Sequence, residues 1–250
     1  MKKRMMGLLA AAVLLSGCVK TPAPTEPTVV YTEPSVPETT VQITEPTFAV
    51  TEPVTEPTVE PTTEPASDAM VRVVDYLPHA RVELAYATQE NFTGTVIYEF
   101  TDAYLRYGTV LKLMEADAIL AEQGYGLVIW DAFRPVSAQA RLWEVYPDPA
   151  YVSPPGTGTQ SHCRGLAVDV TLYDLKTGEL LEMPTAFDSF TALADRDYSD
   201  CTPAAASNAS LLENTLKNCG FKPYRAEWWH FSDTDHYEIE ETFDPAQPDM

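Results

Sequence analysis

The order of apolar and polar positions in the second half of the chain predicts helices and strands before any chemistry is considered. Apolar residues recur at helical spacing within 109–126, and two glycines end that pattern. The short apolar run 127–130 is typical of a buried strand, and the pattern over 137–143 predicts a second helix. The stretch DAFRP at 131–135 therefore lies in a loop at the end of a strand.

Later segments extend the pattern. Residues 151–160 are rich in proline and glycine and indicate a loop, whereas 166–174 alternates as a strand does and is followed by a turn at 176–179. A helix is expected over 209–218 and a last strand over 226–232. Because helices and strands mix without regular βαβ alternation, the sequence predicts an α+β domain in which helices pack on a central antiparallel sheet.

The first 18 residues have the pattern of a secretion signal. Three basic residues precede a short apolar run and a small-residue segment that ends in Cys18. The tetrapeptide LSGC resembles a bacterial lipobox, in which cleavage leaves the cysteine as a lipid-modified N-terminus; the alternative is an ordinary signal peptide with an incidental cysteine. We expect an extracytoplasmic lipoprotein that is anchored to the bacterial cell membrane through Cys18.

Residues 19–68 consist mostly of Thr, Glu, Pro and Val, with the triplet TEP occurring six times. Such a segment has too little apolar surface to offset the entropy of ordering, so it is expected to be a disordered, extended linker. The remainder, 69–250, is long enough for a single domain with a sizeable core. The formal net charge of -21 argues against a nucleic-acid partner because phosphates would be repelled.

Three cysteines remain after Cys18. Cys201 and Cys219 are the candidates for a disulfide, since Cys163 lies inside the suspected site, or all three are free thiols.

The stretch SHCRGLAVDV at 161–170 places His162 and Asp169 seven residues apart, with Gly165 between them. Asp169 lies in the predicted strand between apolar neighbours, where a charge is costly unless it is paired or bound to a metal. A glycine allows a sharp turn, so His162 can fold back toward the aspartate. Alone, the pair is weak evidence for a metal site, because a loop histidine and a locally paired strand carboxylate are the commoner explanation.

A second pair changes this interpretation. Glu227 and His230 in EWWH are three residues apart, and both reach one site only if Glu227 lies at the bent entry of the last strand. Two histidines and an aspartate supply three zinc ligands and leave the fourth tetrahedral position for water. Glu227, which is not a ligand, is then placed to accept the proton of that water.

These motifs resemble those of the zinc D-alanyl-D-alanine dipeptidases and their carboxypeptidase relatives. SHCRGLAVD fits Ser-His-x-x-Gly-x-Ala-x-Asp, and EWWH fits Glu-x-x-His. Further segments are similar to the dipeptidase branch, and together they extend the resemblance over about residues 82–231. These are YATQENFTG (86–94), QGYGLVIWDAFRP (123–135), TLYDLKTGEL (171–180) and NCGFKPYRAEWWH (218–230).

The resemblance implies one Zn²⁺ per chain and assigns a role to each matching residue. The implied residues are His162, Asp169 and His230 as ligands, Glu227 as general base, Arg134 as the group that stabilises the transition state, and Tyr86, Ser161 and Asp188 as contacts to the ends of the dipeptide. Without the zinc motifs, Arg134 would be interpreted as a surface ion pair with Asp131. His79 and His236 lie outside every motif, and Trp228 and Trp229 are expected to serve packing.

The expected function is hydrolysis of D-alanyl-D-alanine, or of related wall-derived dipeptides, by metal-activated water. The alternatives are a D,D- or L,D-carboxypeptidase that trims peptidoglycan peptides and a zinc-containing lipoprotein that binds the wall without turnover.

Overall fold

This computed structural model describes residues 64–149 and 151–248. The predicted signal peptide, Cys18 and the linker as far as residue 63 lie outside the described residues. Near the start of the described residues, the Ser67 carbonyl accepts a hydrogen bond from the Gly108 N–H at 2.8 Å. Within the two described ranges, no helix has both the length and the apolar character needed to cross a membrane.

The described chain contains three α-helices and seven β-strands. The helices are α1 (Tyr107–Glu122), α2 (Val136–Val145) and α3 (Pro203–Asn218). The strands are β1 (Met70–Arg72), β2 (Arg81–Val82), β3 (Tyr104–Arg106), β4 (Tyr125–Asp131), β5 (Ala167–Asp174), β6 (Phe221–Pro223) and β7 (His230–Asp233).

The central sheet has five strands in the order β2-β4-β5-β7-β6. The pairs β4–β5, β5–β7 and β6–β7 are antiparallel, and the short edge strand β2 pairs with β4 in parallel. Strands β1 and β3 form a separate antiparallel pair. The predicted α+β class is confirmed, with the refinement that one edge of the sheet is parallel.

Strand β5 lies in the middle of this sheet, and seven of its eight residues are buried. Its apolar face, formed by Val168, Val170 and Leu172, belongs to the main core together with buried leucines of α1 and α3. Asp169 and Thr171 point to the opposite face and are buried as well. The fold therefore places a carboxylate where it needs a counter-charge or a metal.

Two predicted boundaries are wrong. Helix α3 begins at Pro203 rather than 209, because the Thr202 hydroxyl caps the Ala205 N–H at 3.1 Å and a proline occupies the first turn. The last strand begins at His230 rather than 226, because the preceding residues form a turn in which the Trp228 N–H donates to the Ala194 carbonyl at 2.9 Å.

The suggested disulfide is not formed. Cys163, Cys201 and Cys219 are all free thiols, in agreement with the alternative that left them unpaired.

Candidate active site

His162 reaches the sheet through a tight turn. The residues His162–Arg164 form a single 3₁₀ turn that Gly165 closes with a φ of +69°, a left-handed conformation that suits glycine. The turn leads directly into β5 and brings the His162 Nε2 atom within 3.4 Å of the Asp169 Oδ2 atom. Gly165 thus has the turning role that its position in the sequence predicted.

Strand pairing brings the third member into place. Asp169 of β5 and His230 of β7 are direct register partners across the antiparallel ladder. The His230 Nδ1 atom lies 3.0 Å from the Asp169 Oδ1 atom and 3.2 Å from the His162 Nε2 atom. One ligand atom from each of the three residues lies within 4.8 Å of the other two, so the predicted triad is assembled in space.

Hydrogen bonds on the outer nitrogens orient both imidazoles. The His162 Nδ1 atom lies 2.7 Å from the Ala132 carbonyl, which can only accept, so Nδ1 carries the proton and Nε2 presents a lone pair. The His230 Nε2 atom lies 3.1 Å from the Ser232 hydroxyl. The other ring nitrogen of His230, Nδ1, therefore faces the His162 Nε2 atom and the Asp169 carboxylate. This outer-nitrogen bonding is the arrangement that orients metal-binding histidines.

The donor set fits a divalent cation. Two imidazole lone pairs and a carboxylate converge, and such acceptors repel one another unless a cation lies between them. Tetrahedral zinc with bonds of about 2.0–2.1 Å requires ligand atoms about 3.3 Å apart. The two imidazole nitrogens are 3.2 Å apart, and the Asp169 carboxylate approaches them with its two oxygens, Oδ1 at 3.0 Å from His230 and Oδ2 at 3.4 Å from His162. His162, Asp169 and His230 can therefore hold one ion and leave a further coordination position open.

The charges of the triad are strongly coupled. Burial favours the neutral form of Asp169, but His162 and His230 outweigh this effect and hold the pKa of the carboxyl well below its usual range. Burial also opposes a charge on His162, whereas Asp169 and Asp131 raise the pKa of its imidazole. Asp169 is therefore ionised across the physiological range and available as an anionic ligand.

Glu227 lies beside the triad without belonging to it. It occupies the turn before β7, as the prediction of a bent strand entry required, and its Oε2 atom is 3.9 Å from the His230 Nδ1 atom. Burial raises the pKa of this carboxyl, and His230, His162 and Arg134 partly offset the increase. A carboxylate with a raised pKa next to a metal centre can exchange a proton with a neighbouring water.

Arg134 follows β4 and is fixed from several sides. Its Nη2 and Nε atoms bond to the Asp131 carboxylate at 2.5 and 3.2 Å, and its Nη1 atom bonds to the Gln139 Oε1 atom at 2.8 Å. Its backbone N–H donates to the His162 carbonyl at 3.2 Å. The alternative of a surface ion pair is wrong because Asp131 is fully buried and the Arg134 side chain is only 12% exposed.

Tyr86 and Asp188 form a pair at another wall of the site. The Tyr86 hydroxyl donates to the Asp188 Oδ2 atom at 2.7 Å. Burial raises the pKa of Asp188 to about 8, although the bond from Tyr86 opposes the increase. Asp188 has a φ of +52°, a left-handed conformation that is costly outside glycine and that commonly marks functional positions. Ser161 immediately precedes the 3₁₀ turn.

All eight predicted site residues line one cavity of about 400 Å³, hereafter the site cavity. They are Tyr86, Arg134, Ser161, His162, Asp169, Asp188, Glu227 and His230. The volume lies in the range of small-molecule sites. The structure thus brings the predicted residues together.

Sequence reasoning missed much of the surrounding wall. Gln139 bridges Arg134 to the loop before the triad, since its Nε2 atom donates to the Ser153 carbonyl at 2.7 Å. Phe92, Tyr151 and Phe190 form an aromatic side of the cavity. The spacing of Asp131 and Arg134 in DAFRP could have indicated their pairing, but no local signal identifies Gln139 or the aromatic wall.

The remaining histidines and tryptophans agree with their predictions. His79 pairs with Asp117 at 3.0 Å, and the His236 side chain is 77% exposed and pairs with Glu238; neither lines the site cavity. Trp228 and Trp229 are almost fully buried in the core.

The chain is similar to known peptidases. The family model described as Peptidase_M15, D-ala-D-ala dipeptidase, matches residues 66–247. The chain is 36% identical over 162 residues to the D-alanyl-D-alanine dipeptidase of Escherichia coli (strain K12), covering 65% of this chain and 83% of that protein. It is 32% identical over 182 residues to the D-alanyl-D-alanine dipeptidase of Enterococcus faecium, covering 63% and 88%.

The solved structure of an LD-carboxypeptidase that recognises peptidoglycan is similar, with a TM-score of 0.38 and 19% identity over 69% of this chain and 70% of that one. A likeness of that size carries no argument about function.

Proposed function

The chain belongs to the M15 peptidase family of D-Ala-D-Ala dipeptidases, and from this premise we propose that it is a zinc dipeptidase that hydrolyses D-alanyl-D-alanine or related wall-derived dipeptides. The observation that carries the proposal is the convergence of two imidazole nitrogens and one carboxylate, with the Glu227 carboxylate beside them in the site cavity. In this proposal, His162, Asp169 and His230 hold one Zn²⁺.

Each residue then has a defined task. Zn²⁺, when bound, supplies a Lewis acid and lowers the pKa of a water molecule. Glu227 accepts the proton of the attacking water and later delivers it to the amine that leaves. Arg134 donates hydrogen bonds to the carbonyl oxygen as that oxygen gains negative charge. Because Asp131 and Gln139 fix the guanidinium in advance, little reorganisation is needed during the reaction.

The direct test of substrate class is release of free D-alanine by the purified, zinc-loaded protein. We expect rapid release from D-Ala-D-Ala and much slower release from a wall pentapeptide that ends in the same two residues. Faster cleavage of the pentapeptide would favour the carboxypeptidase alternative, and binding of either peptide without release would favour a wall-binding protein.

Asp188 is the residue that we propose selects dipeptides. Its carboxylate can make a charge-assisted bond to the substrate ammonium, and this group is present at that position only when the second residue from the C-terminus is also the first residue of the peptide. A longer peptide has a neutral amide there and cannot form the charge-assisted bond with Asp188, a loss of about 1–3 kcal/mol.

We expect D-Ala-D-Ala to have at least about tenfold higher kcat/KM than N-acetyl-D-Ala-D-Ala, because the acetylated dipeptide lacks the ammonium that makes the charge-assisted bond to Asp188. Asp188→Asn should reduce the ratio of kcat/KM between the two substrates, mainly by impairing cleavage of the free dipeptide. Steady-state kinetics on both substrates measure the gap. Equal cleavage of the two substrates by the unmodified protein would mean that Asp188 has only a structural role.

The pH dependence of KM provides a check on the same assignment. The pKa of Asp188 is raised to about 8, so the free carboxyl holds a proton at neutral pH and must lose it to pair with an ammonium. As pH falls below about 8, KM for D-Ala-D-Ala should therefore rise, by up to about tenfold per pH unit. KM for the acetylated dipeptide should lack this dependence, and a parallel rise for both substrates would contradict the pairing.

We further propose that the protein is exported and anchored to the bacterial cell membrane through a lipid on Cys18. The support is the sequence pattern of the first 18 residues. The full-length chain should sediment with membranes when it is expressed in a bacterium, and Cys18→Ala should appear in the soluble fraction, because the linker has no apolar stretch that could anchor it. Membrane retention of Cys18→Ala would refute the lipid anchor.

A further inference from the structure

Arg196, in the segment between β5 and α3, makes several hydrogen bonds to the backbone of the turn that carries Glu227 and His230. Its side chain is only 9% exposed, and its guanidinium carbon lies 4.5 Å from the centre of the Phe231 ring. A guanidinium has five N–H donors. Arg196 makes five hydrogen bonds, two through Nη1, two through Nη2 and one through Nε.

Three of the five acceptors are backbone carbonyls of one turn. Nε donates to the Tyr224 carbonyl at 2.7 Å, and Nη2 donates to the carbonyls of Glu227 and His230, both at 2.9 Å. This is the turn that carries the candidate base and one member of the triad. A single nitrogen therefore bonds to the backbone of both residues, whose side chains line the site cavity on the other side.

The turn has three backbone hydrogen bonds of its own. The Glu227 N–H donates to the Tyr224 carbonyl at 3.4 Å, the His230 N–H donates to the Glu227 carbonyl at 3.3 Å, and the Tyr224 N–H donates to the His230 carbonyl at 3.1 Å. The bonds from Arg196 to the same three carbonyls are shorter, at 2.7 to 2.9 Å. Arg196 therefore adds the shortest hydrogen bond to each of these carbonyls.

The other side of the guanidinium is tied to a rigid element. Nη1 donates to the Glu213 Oε2 atom on α3 at 3.1 Å and to the Tyr198 hydroxyl at 3.2 Å, and that hydroxyl also donates to Glu213 at 2.9 Å. Burial would raise the pKa of Glu213, but Tyr198 and Arg196 outweigh this effect and lower it, so the pair is ionised. Arg196 thus links the turn to helix α3.

We propose that Arg196 is a positioning residue that sets the placement of Glu227 relative to His230, and through it both the affinity for Zn²⁺ and the rate of the chemical step. The inference rests on the proposed function and adds a residue to it. Lysine cannot replace arginine here, because one ammonium nitrogen has three donors and cannot present the planar fork that reaches three backbone carbonyls and Glu213 together.

The test is Arg196→Lys in the full chain, with two readouts. Zn²⁺ affinity is measured by competition with a chromogenic chelator, and kcat and KM for D-Ala-D-Ala are measured at saturating Zn²⁺. We expect a tenfold to hundredfold weaker affinity, the usual effect of losing an outer contact to a metal site, and at least a tenfold lower kcat with KM changed about threefold or less. A purely structural role would lower thermal stability but leave kcat and zinc affinity of the folded protein unchanged, and that result would overturn the proposal.

Arg81→Lys is the matched control. Arg81 also stacks on an aromatic ring, that of Tyr173 at 3.7 Å, and donates to a backbone carbonyl, that of Gly178 at 2.8 Å, but it does not line the site cavity. This variant should keep wild-type zinc affinity and kcat, and an equal loss in it would also overturn the proposal.

Should Arg196→Lys fail to fold, Glu213→Gln decides the question. This variant removes the charge that anchors the Arg196 Nη1 atom and keeps the three bonds from Arg196 to backbone carbonyls. We therefore expect a smaller loss of zinc affinity and kcat than in Arg196→Lys. Wild-type values of both would overturn the proposal. The zinc measurement needs no turnover. An unmodified protein that binds Zn²⁺ but does not cleave D-Ala-D-Ala would therefore refute the proposed function while leaving the role of Arg196 testable.

Discussion

Glu227→Gln should retain the metal and lower kcat by about 10²–10⁴-fold, the usual contribution of a general base, whereas His162→Ala should lose the metal and the activity together. Glu227 lies 3.9 Å from His230 and outside the converging triad, so its replacement leaves all three ligand atoms in place. Removal of the His162 imidazole opens the coordination sphere, since three protein ligands are the usual minimum for a catalytic zinc.

Metal content after dialysis, measured beside turnover of D-Ala-D-Ala, separates the two effects. His236→Ala is the matched control, because it removes an exposed imidazole that is outside the site cavity and should change neither quantity. Loss of zinc from Glu227→Gln to the same extent as from His162→Ala would show that Glu227 is a ligand and that the roles are wrongly divided.

Arg134→Lys should lower kcat by about 10²–10³-fold with a smaller effect on KM, because a fixed donor to the developing oxyanion acts mainly in the transition state. A lysine ammonium cannot keep the two-point bond to Asp131 and the bond to Gln139 while also facing the substrate. The position of the positive charge in the site cavity would therefore change even though its sign is retained.

Arg141→Lys, on the exposed side of α2 with 54% of its side chain accessible, is the control and should retain wild-type kinetics. A higher KM with an unchanged kcat in Arg134→Lys would mean that Arg134 binds the ground state and the transition state equally, and that it does not stabilise charge developed during the reaction.

Part of the candidate metal site could be predicted from local spacing. The glycine at 165 and the strand that follows it are visible in the sequence, and they place His162 and Asp169 near each other without knowledge of the rest of the fold. The register of β5 with β7, which brings His230 opposite Asp169, is a tertiary feature that local spacing does not show; the residue types in EWWH suggested a shared site, and the resemblance to the family supported it. The family is confirmed by the match over residues 66–247.

Contacts that join distant parts of the chain could not be predicted. Arg196 is 31 residues from Glu227, and neither periodicity nor a motif distinguishes it from a surface arginine. The early start of α3 at Pro203 has a local signal, the Thr202 cap followed by proline, although the apolar spacing alone predicts a start further on. The predicted last strand is too long. The aromatic residues of EWWHF favour a strand in the sequence pattern, but such residues also occur in buried turns, as Trp228 and Trp229 do here.

The most direct test of the account is release of D-alanine from D-Ala-D-Ala by the purified full chain in three states: as isolated, after removal of the metal by a chelator, and after reloading with Zn²⁺. The account predicts turnover in the first state, none in the second and recovery in the third. Undiminished turnover by the metal-free protein, or no turnover by protein that holds one Zn²⁺ per chain, would contradict it.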